Sequence, residues 1–455
     1  MQTQTQGTST AKSSSQTKPV KVAMIGASGI FFGKSITSFA KYECLRDAEI
    51  VAVDIEQDIV DAAVSKAKKI NKEEGMNMTI SGTLDRKEAI EGADWVITAV
   101  EKNRFDFWKQ DVFIAEKHGV GQVCGENGGP AGVFHALRQL TIFQGISEDI
   151  VSLNPSVRVA NLSNPMTHIL MLMKNHYNIE SYGICHGLLG CTGVLAETMG
   201  MEPDAIEPIA AGLNHFVWIL EMHHAETGED FYPEFKKRVR DNIFYNKLSI
   251  ECMDIFGKYP VPYDSHISEY LSFAGQEGWE DHDLYSKLFQ LNQADAKHKK
   301  GAEFEPDSPI ALLAIEETSN KYPANPNHPR YREDDAGELI GPLVAGSKEF
   351  RPAVTVQNQG AISNLPMDAI VEVPSYLHNG HLYPLSVGEL PLGIASLCQR
   401  QIDIQRLIVE GSIKGDRGLI LESLLLDPHV RTIKQARGIL EDGLNAYKVE
   451  LPQFF

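Results

Sequence analysis

Cys185 and His215 could each supply one ligand to a divalent metal, because a thiolate and an imidazole suit a borderline ion and leave positions open for substrate oxygens. The plainer reading of the same pair is a packed, inert cysteine and a core histidine with its hydrogen bonds met. A second chemistry is written in Gly26-Ala27-Ser28-Gly29-Ile30-Phe31-Phe32-Gly33, which follows the apolar run Val20-Lys21-Val22-Ala23-Met24-Ile25. Glycines at a strand-to-helix turn let backbone N–H groups approach a pyrophosphate at the positive end of a helix. Gly26, Ser28, Gly29 and Ile30 are therefore candidate cofactor contacts. Asp54 closes the next apolar run, Glu49-Ile50-Val51-Ala52-Val53, where a carboxylate accepts the ribose hydroxyls and favours NAD over NADP. The glycine spacing departs from the strict G-x-G-x-x-G pattern, and three ordinary turn glycines are the alternative.

Further polar groups gather where apolar runs stop: Val100-Glu101-Lys102-Asn103-Arg104, Gly125-Glu126-Asn127-Gly128-Gly129, Asn161-Leu162-Ser163-Asn164-Pro165-Met166 and Gly183-Ile184-Cys185-His186-Gly187. Ala211-Gly212-Leu213-Asn214-His215-Phe216 opens the region beyond them. In open parallel sheets ligands collect at the carboxyl ends of strands, which would bring these segments together beside a nicotinamide, with Glu101 a further cofactor contact. The scaffold this requires is visible in the pattern. Residues 95–100, 157–162 and 181–185 read as buried strands, and Val60, Ala63, Ala67 and Ile70 mark one helical face. The expected class is α/β: a Rossmann-like doubly wound parallel sheet, with a mixed α+β C-terminal region for substrate and metal. The expected division is a disordered tail at 1–18, an NAD-binding domain at 19–200, and a substrate, metal and oligomerisation domain at 201–455. Phe216, Trp218, Leu220 and Met222 alternate up to a Glu226-Thr227-Gly228-Glu229 turn, which suggests an antiparallel hairpin. Residues 281–341 read as polar helix and loop, and 387–447 as mostly helical.

Composition narrows the partners. A net charge of −19 argues against nucleic acid and anionic membrane, both of which need a basic surface. Six scattered cysteines suit thiols kept reduced, no apolar run reaches the ~18 residues that span a bilayer, and the Gln/Thr/Ser-rich start lacks a signal-peptide core. A cytoplasmic protein with a small-molecule substrate is expected.

Gly125-Glu126-Asn127-Gly128-Gly129-Pro130-Ala131-Gly132, Phe134-His135-Ala136-Leu137-Arg138, Asn161-Leu162-Ser163-Asn164-Pro165-Met166, Cys185-His186-Gly187 and Gly212-Leu213-Asn214-His215 occur in that order, followed by Asn358-Gln359-Gly360-Ala361-Ile362 and 364–374. Together they resemble the family 4 glycoside hydrolases, which use NAD and usually manganese; a sulfoquinovoside-cleaving relative of that family is also open. Two-carboxylate hydrolysis does not describe this family. The resemblance implies oxidation of the sugar's C3 hydroxyl by NAD, removal of the C2 proton, elimination of the aglycone, addition of water and re-reduction. The alternative is an NAD-linked sugar or hydroxy-acid dehydrogenase that oxidises without cleaving.

Carried over residue by residue, the resemblance makes Cys185 and His215 the ligands of a Mn2+ or similar ion. It makes Asn164 a substrate contact, beside the candidate contacts Arg104, Glu126, Asn127 and His266. His186 stands where the family places a proton donor or a hydroxyl contact. Tyr263 and Asp264 stand where the family's C2 base is found; Asp264 is favoured because a phenol starts near ~10, and its plain reading is a helix cap. Arg104, Trp108 and Lys109 could bind a carboxylate or sulfonate at C6, or simply face water. The substrate implied is an unphosphorylated α-hexoside, α-hexuronide or sulfoquinovoside, and the assembly a homodimer or homotetramer.

Overall fold

β1 (Lys21–Ile25) buries its side chains on both faces, which is why it reads as an unbroken apolar run: Val22 and Met24 enter one hydrophobic cluster and Ala23 and Ile25 another. β2 (Glu49–Val53) splits the same way, Ile50 and Ala52 against Val51 and Val53. The computed structural model describes residues 18–27, 30–121, 125–241, 247–262, 264–274 and 335–455. With β3 (Thr79–Thr83), β4 (Trp95–Thr98), β5 (Arg158–Asn161) and β6 (Ser181–Gly183), these strands form a parallel sheet in the order β3-β2-β1-β4-β5-β6. That is the doubly wound dinucleotide-binding order, with a switch point between β1 and β4. Helices α1 (Ile30–Phe39) and α2 (Gln57–Glu73) supply one face through Phe32, Ile36, Phe39, Ala63 and Ala67. α3 (Arg86–Ile90), α4 (Arg104–Lys117) and α5 (Gly129–Leu153) supply the other, with Phe134, Leu137 and Phe143 from α5.

The sheet does not stop at β6. It continues through β7 (Ile206–Leu213), β8 (Phe216–His224), β9 (Tyr259–Val261), β10 (Glu349–Gln357) and β11 (Ile370–His378) in the order β6-β10-β11-β7-β8-β9, with β12 (His381–Pro384) paired to β11. Every pairing in this half is antiparallel. The expected hairpin is present with a different partner: β8 pairs backwards with β7 across the two-residue turn Asn214–His215, while beyond the 226–229 turn only the bridge His223–Asp230 forms. Helices Leu392–Lys414, Arg417–Leu426 and Ile433–Ala446 confirm the helical end and pack Ile404, Ile408, Ile420, Leu424 and Ile439 onto the α5 side of the sheet. The tail at 1–17 and most of the polar stretch 281–341 lie outside the described residues; the end of that stretch is helix Ala336–Ala345. No helix among the described residues is long and apolar enough to cross a membrane.

α6 (Met166–Met171) buries His168, neither ring nitrogen of which is hydrogen-bonded among the described residues, and burial, helped by nearby His135, pushes its pKa down to about 3. A histidine that stays neutral when folded but protonates when unfolded contributes stability above its ordinary pKa and loses it as pH falls from 6.5 towards 3, at ~1.4 kcal/mol per unit. His168→Leu should therefore gain ~2 kcal/mol on the wild type between pH 7 and pH 5 in denaturant midpoints. Parallel loss in both proteins would show that His168 does not carry the acid sensitivity.

Candidate active site

The switch point brings the glycine turn and Asp54 together. Gly26, at φ +88°, and Ala27 both donate to the Val53 carbonyl, 3.0 and 3.1 Å away, so the turn after β1 is tied to the end of β2 where Asp54 follows. A Cβ on Gly26 would sit 2.3 Å from the Ala99 carbonyl oxygen, so no other residue fits this crossing. Ser28 and Gly29 lie outside the described residues, and Ile30 begins α1.

A polar cluster sits beyond the carboxyl ends of β4, β5 and β6. Glu126, His215 and His266 each offer one ligand atom, and these atoms all lie within 4.8 Å of one another. Three elements deliver them: the loop before α5, the β7–β8 turn, and the short helix Asp264–Ile267. His215 and His266 are in contact, ring centroids 4.3 Å apart, and their Nδ1 atoms stand 3.7 and 3.8 Å from Glu126 Oε2. Glu126 is held from other sides as well. Arg104 donates to its Oε1 at 2.6 Å, Asn164 to the same oxygen at 3.4 Å, and Asn127 to Oε2 at 3.3 Å. Against the cost of burial, the Arg104 guanidinium, with His215 and His266, holds the Glu126 carboxyl well below the usual carboxylate range. Burial drives His215 the other way, down to about 3, so its imidazole is neutral and able to give a lone pair. His266 is raised: burial opposes its charge, but Glu269 and Glu126 outweigh that.

The loop bearing Glu126 is fixed from below. Glu269 Oε2 accepts from the backbone N–H groups of Asn127 and Gly128, 2.6 and 2.7 Å away, at the start of α5 where a carboxylate is favoured. His429, paired with Asp427 at 3.1 Å, contacts the Ser268 carbonyl at 3.1 Å and so ties the C-terminal helices to the segment carrying His266. Glu101 lies at the rim, its Oε2 3.1 Å from His135 Nε2; the other nitrogen of that ring contacts the Glu126 carbonyl oxygen at 2.7 Å. Glu101, Arg104, Trp108, Glu126, His135 and His266 line a cavity of about 220 Å³.

Cys185, paired with His215 in the sequence reading, is not a member of the three-donor cluster, although the Glu126 carboxylate is near enough to act on its thiol. Its sulfur accepts from the Gly187 N–H at 3.3 Å and lies in hydrogen-bonding reach of the Asn214 side chain. Burial, with Glu372 nearby, pushes the thiol pKa up. Asn214 Nδ2 also donates to Glu372 Oε2 at 2.8 Å, so one amide spans the sulfur and a buried carboxylate. Sequence reasoning gave Glu372 no role, although an acid inside the apolar run Ile370-Val371-Glu372-Val373 was its signal. Burial pushes Glu372 up to about 7. His186 is stacked on Phe31 of α1, centroids 5.4 Å apart and planes at 18°, with Nε2 3.8 Å from Asp335 Oδ1.

Of the two candidates for the base only Asp264 is described, and its carboxylate is engaged by a neighbouring helix. Asp264 is buried, and its carboxylate accepts from the N–H groups of Leu248 and Ser249 at 2.8 and 2.9 Å and from Ser249 Oγ at 2.7 Å, capping helix Lys247–Phe256. The cap reading of Asp264 is what these contacts describe, though the helix capped is a neighbour's and not its own. Tyr263 lies outside the described residues.

Among the described residues Asn164 Oδ1, His186 Nε2, Asn214 Oδ1, His266 Nδ1 and Glu269 Oε1 are buried without a hydrogen bond, although His266 Nδ1 and Glu269 Oε1 face one another at 3.6 Å. A buried polar atom left unmet costs about 1–3 kcal/mol, which a polar ligand at this place would offset.

Comparison with known proteins agrees in extent as well as in fold. The chain is 26% identical to an alpha-galactosidase of Bacillus subtilis over 95% of its length and 99% of that protein's. It is 27% identical to an alpha-glucosidase of Erwinia rhapontici (90% and 93%), and 25% to an alpha-galacturonidase of Bacillus subtilis (90% and 94%). A 6-phospho-alpha-glucosidase from gut microorganisms, solved with NAD and Mn2+, shares the fold with a TM-score of 0.74 at 20% identity, over 96% of this chain and 100% of that one. The 6-phospho-beta glucosidase of Thermotoga maritima, solved with manganese, NAD+ and glucose-6-phosphate, does so at 0.68 and 21% (95% and 99%). The model of the family 4 glycosyl hydrolases matches residues 21–201, and that of the family's C-terminal domain matches 210–430; the chain belongs to family 4 of the glycosyl hydrolases.

Proposed function

We propose that this glycoside hydrolase cleaves an unphosphorylated α-hexoside, α-hexuronide or α-sulfoquinovoside with NAD and a divalent cation such as Mn2+, by reversible oxidation at C3 and elimination across C1 and C2. The carrying observation is the three-donor cluster, with buried polar atoms such as Asn164 Oδ1 not hydrogen-bonded among the described residues, at the carboxyl edge of a dinucleotide-type sheet. The names of the relatives, alpha-galactosidase, alpha-glucosidase and alpha-galacturonidase, support neutral and uronic sugars.

Both groups fit the residues present. The Gly26 crossing with Asp54 beside it has the form of a dinucleotide turn, and a carboxylate with two imidazoles is a donor set suited to Mn2+ or Zn2+. When bound, the nicotinamide supplies a reversible two-electron couple and the cation polarises a sugar carbonyl. Glu126, His215 and His266 would hold the cation, with Cys185 as the further ligand. Asn164, with its Oδ1 unmet, takes a hydrogen from a sugar hydroxyl, and Asn127 and Arg104 steady the face of Glu126 turned to the substrate. Glu101 stands at the cavity rim towards the cofactor. Tyr263 accepts the C2 proton, and His186, oriented by the Phe31 stack, gives a proton to the leaving oxygen. We read the assembly as a homodimer or homotetramer, which sedimentation equilibrium tests.

Turnover of a panel of p-nitrophenyl α-glycosides and α-glucuronides in heavy water with NAD and Mn2+ should release aglycone, leave no net NADH and place deuterium at C2 of the product sugar. Cleavage without C2 label would remove the elimination route. Stoichiometric NADH without aglycone would show a dehydrogenase instead.

A further inference from the structure

We propose that Glu372 is a positioning residue for the cation site, acting through Asn214 on the turn that presents His215. The inference rests on the reading of His215 and Cys185 as ligands. Glu372 sits in β11 between Val371 and Val373, all three buried, and is in register with Gly212 of β7. A carboxylate there is a poor choice for stability, since an apolar side chain of similar size would suit the strand better. Its partners explain its presence: Asn214 Nδ2 donates to Oε2 at 2.8 Å and Thr355 Oγ1 to the same atom at 3.2 Å.

Asn214 is the first residue of the two-residue β7–β8 turn and His215 the second, at φ +62°. A non-glycine residue in the left-handed region is held there only when its surroundings over-determine it. The imidazole end is held by Asn127, whose side-chain amide lies 2.8 Å from His215 Nδ1; the other end is held by the Asn214 side chain. Because that amide also reaches the Cys185 sulfur, fixing it sets both groups at once. Without the carboxylate the amide can rotate, the turn can relax, and the imidazole leaves the geometry shared with Glu126 and His266.

The test compares Glu372→Leu, which keeps bulk in an apolar strand but accepts no hydrogen bond, with Glu372→Gln, which keeps length and an acceptor oxygen. Mn2+ affinity, NAD affinity and melting temperature without metal are measured on the full chain. Glu372→Leu should bind Mn2+ ~10–100-fold more weakly, with NAD affinity and melting temperature near wild type, and Glu372→Gln should restore most of the loss. Unchanged Mn2+ affinity in Glu372→Leu overturns the proposal, and so does joint loss of Mn2+ and NAD binding in both variants, which would mean a structural role. His215→Ala in the same titration separates the two levels. If it binds Mn2+ like the wild type, the ligand reading itself has failed; if it loses Mn2+ while Glu372→Leu does not, only the positioning role has.

Discussion

His215→Ala is expected to weaken Mn2+ binding severely and to lower kcat/KM by ~10³-fold, with NAD affinity unchanged, since Lewis-acid stabilisation is worth several kcal/mol at 1.36 kcal/mol per decade. Two features make His215 the most telling position. It is the member that both the sequence and the three-donor cluster select, and burial keeps its imidazole neutral, as a ligand must be. The variant also leaves the Gly26 turn and Asp54 untouched, so NAD binding serves as an internal control for folding. Glu126→Gln should weaken Mn2+ binding too, but it additionally disturbs the hydrogen bond from Arg104, so its effect on KM is less easily assigned. Cys185→Ala distinguishes the donor sets. If the sulfur completes the site, Mn2+ affinity falls in that variant as well; if the cluster of Glu126, His215 and His266 suffices, Cys185→Ala keeps it. A His215→Ala enzyme with wild-type Mn2+ response would place the cation elsewhere.

The parallel half of the sheet was legible because its signal is local. β1, β2, β4 and β5 are short apolar runs ending in glycine or polar residues, and such runs have few other folds open to them. The antiparallel half was less so: β8 has the alternation of a strand, but its neighbour was sought downstream, whereas the pairing runs through Asn214–His215, a turn without glycine. The site divided in the same way. Polar residues at strand ends are marked by position alone, and His215 as a ligand by the family resemblance. What joined them depends on contacts between segments far apart in the chain. Glu269 holding the start of α5, and Asp427 with His429 holding Ser268, span separations that no local period encodes. Asp264 shows the cost of reading type without surroundings, because a carboxylate in the right segment can face a neighbouring helix.

That distinction leads to the second large effect, on the C2 base. Asp264→Ala should cost roughly 2–6 kcal/mol of stability, since it strands two buried backbone N–H groups of helix Lys247–Phe256, each worth about 1–3 kcal/mol. Asp264→Asn, whose one acceptor oxygen can serve Ser249 or Leu248 but not both, should recover part of that stability and retain kcat within about tenfold, a bound well inside the 10²–10⁴ range of a lost general base. Tyr263→Phe should instead melt near the wild type and lose ~10²–10⁴ in kcat, together with deuterium incorporation at C2. A carboxylate accepting from two backbone amides and a hydroxyl is tied in place, whereas the neighbouring phenol is the other base candidate in the segment. The pair of variants decides between them. If Asp264→Asn folds with a normal melting temperature yet loses C2 exchange, while Tyr263→Phe keeps it, the proton goes to Asp264 and the cap is secondary.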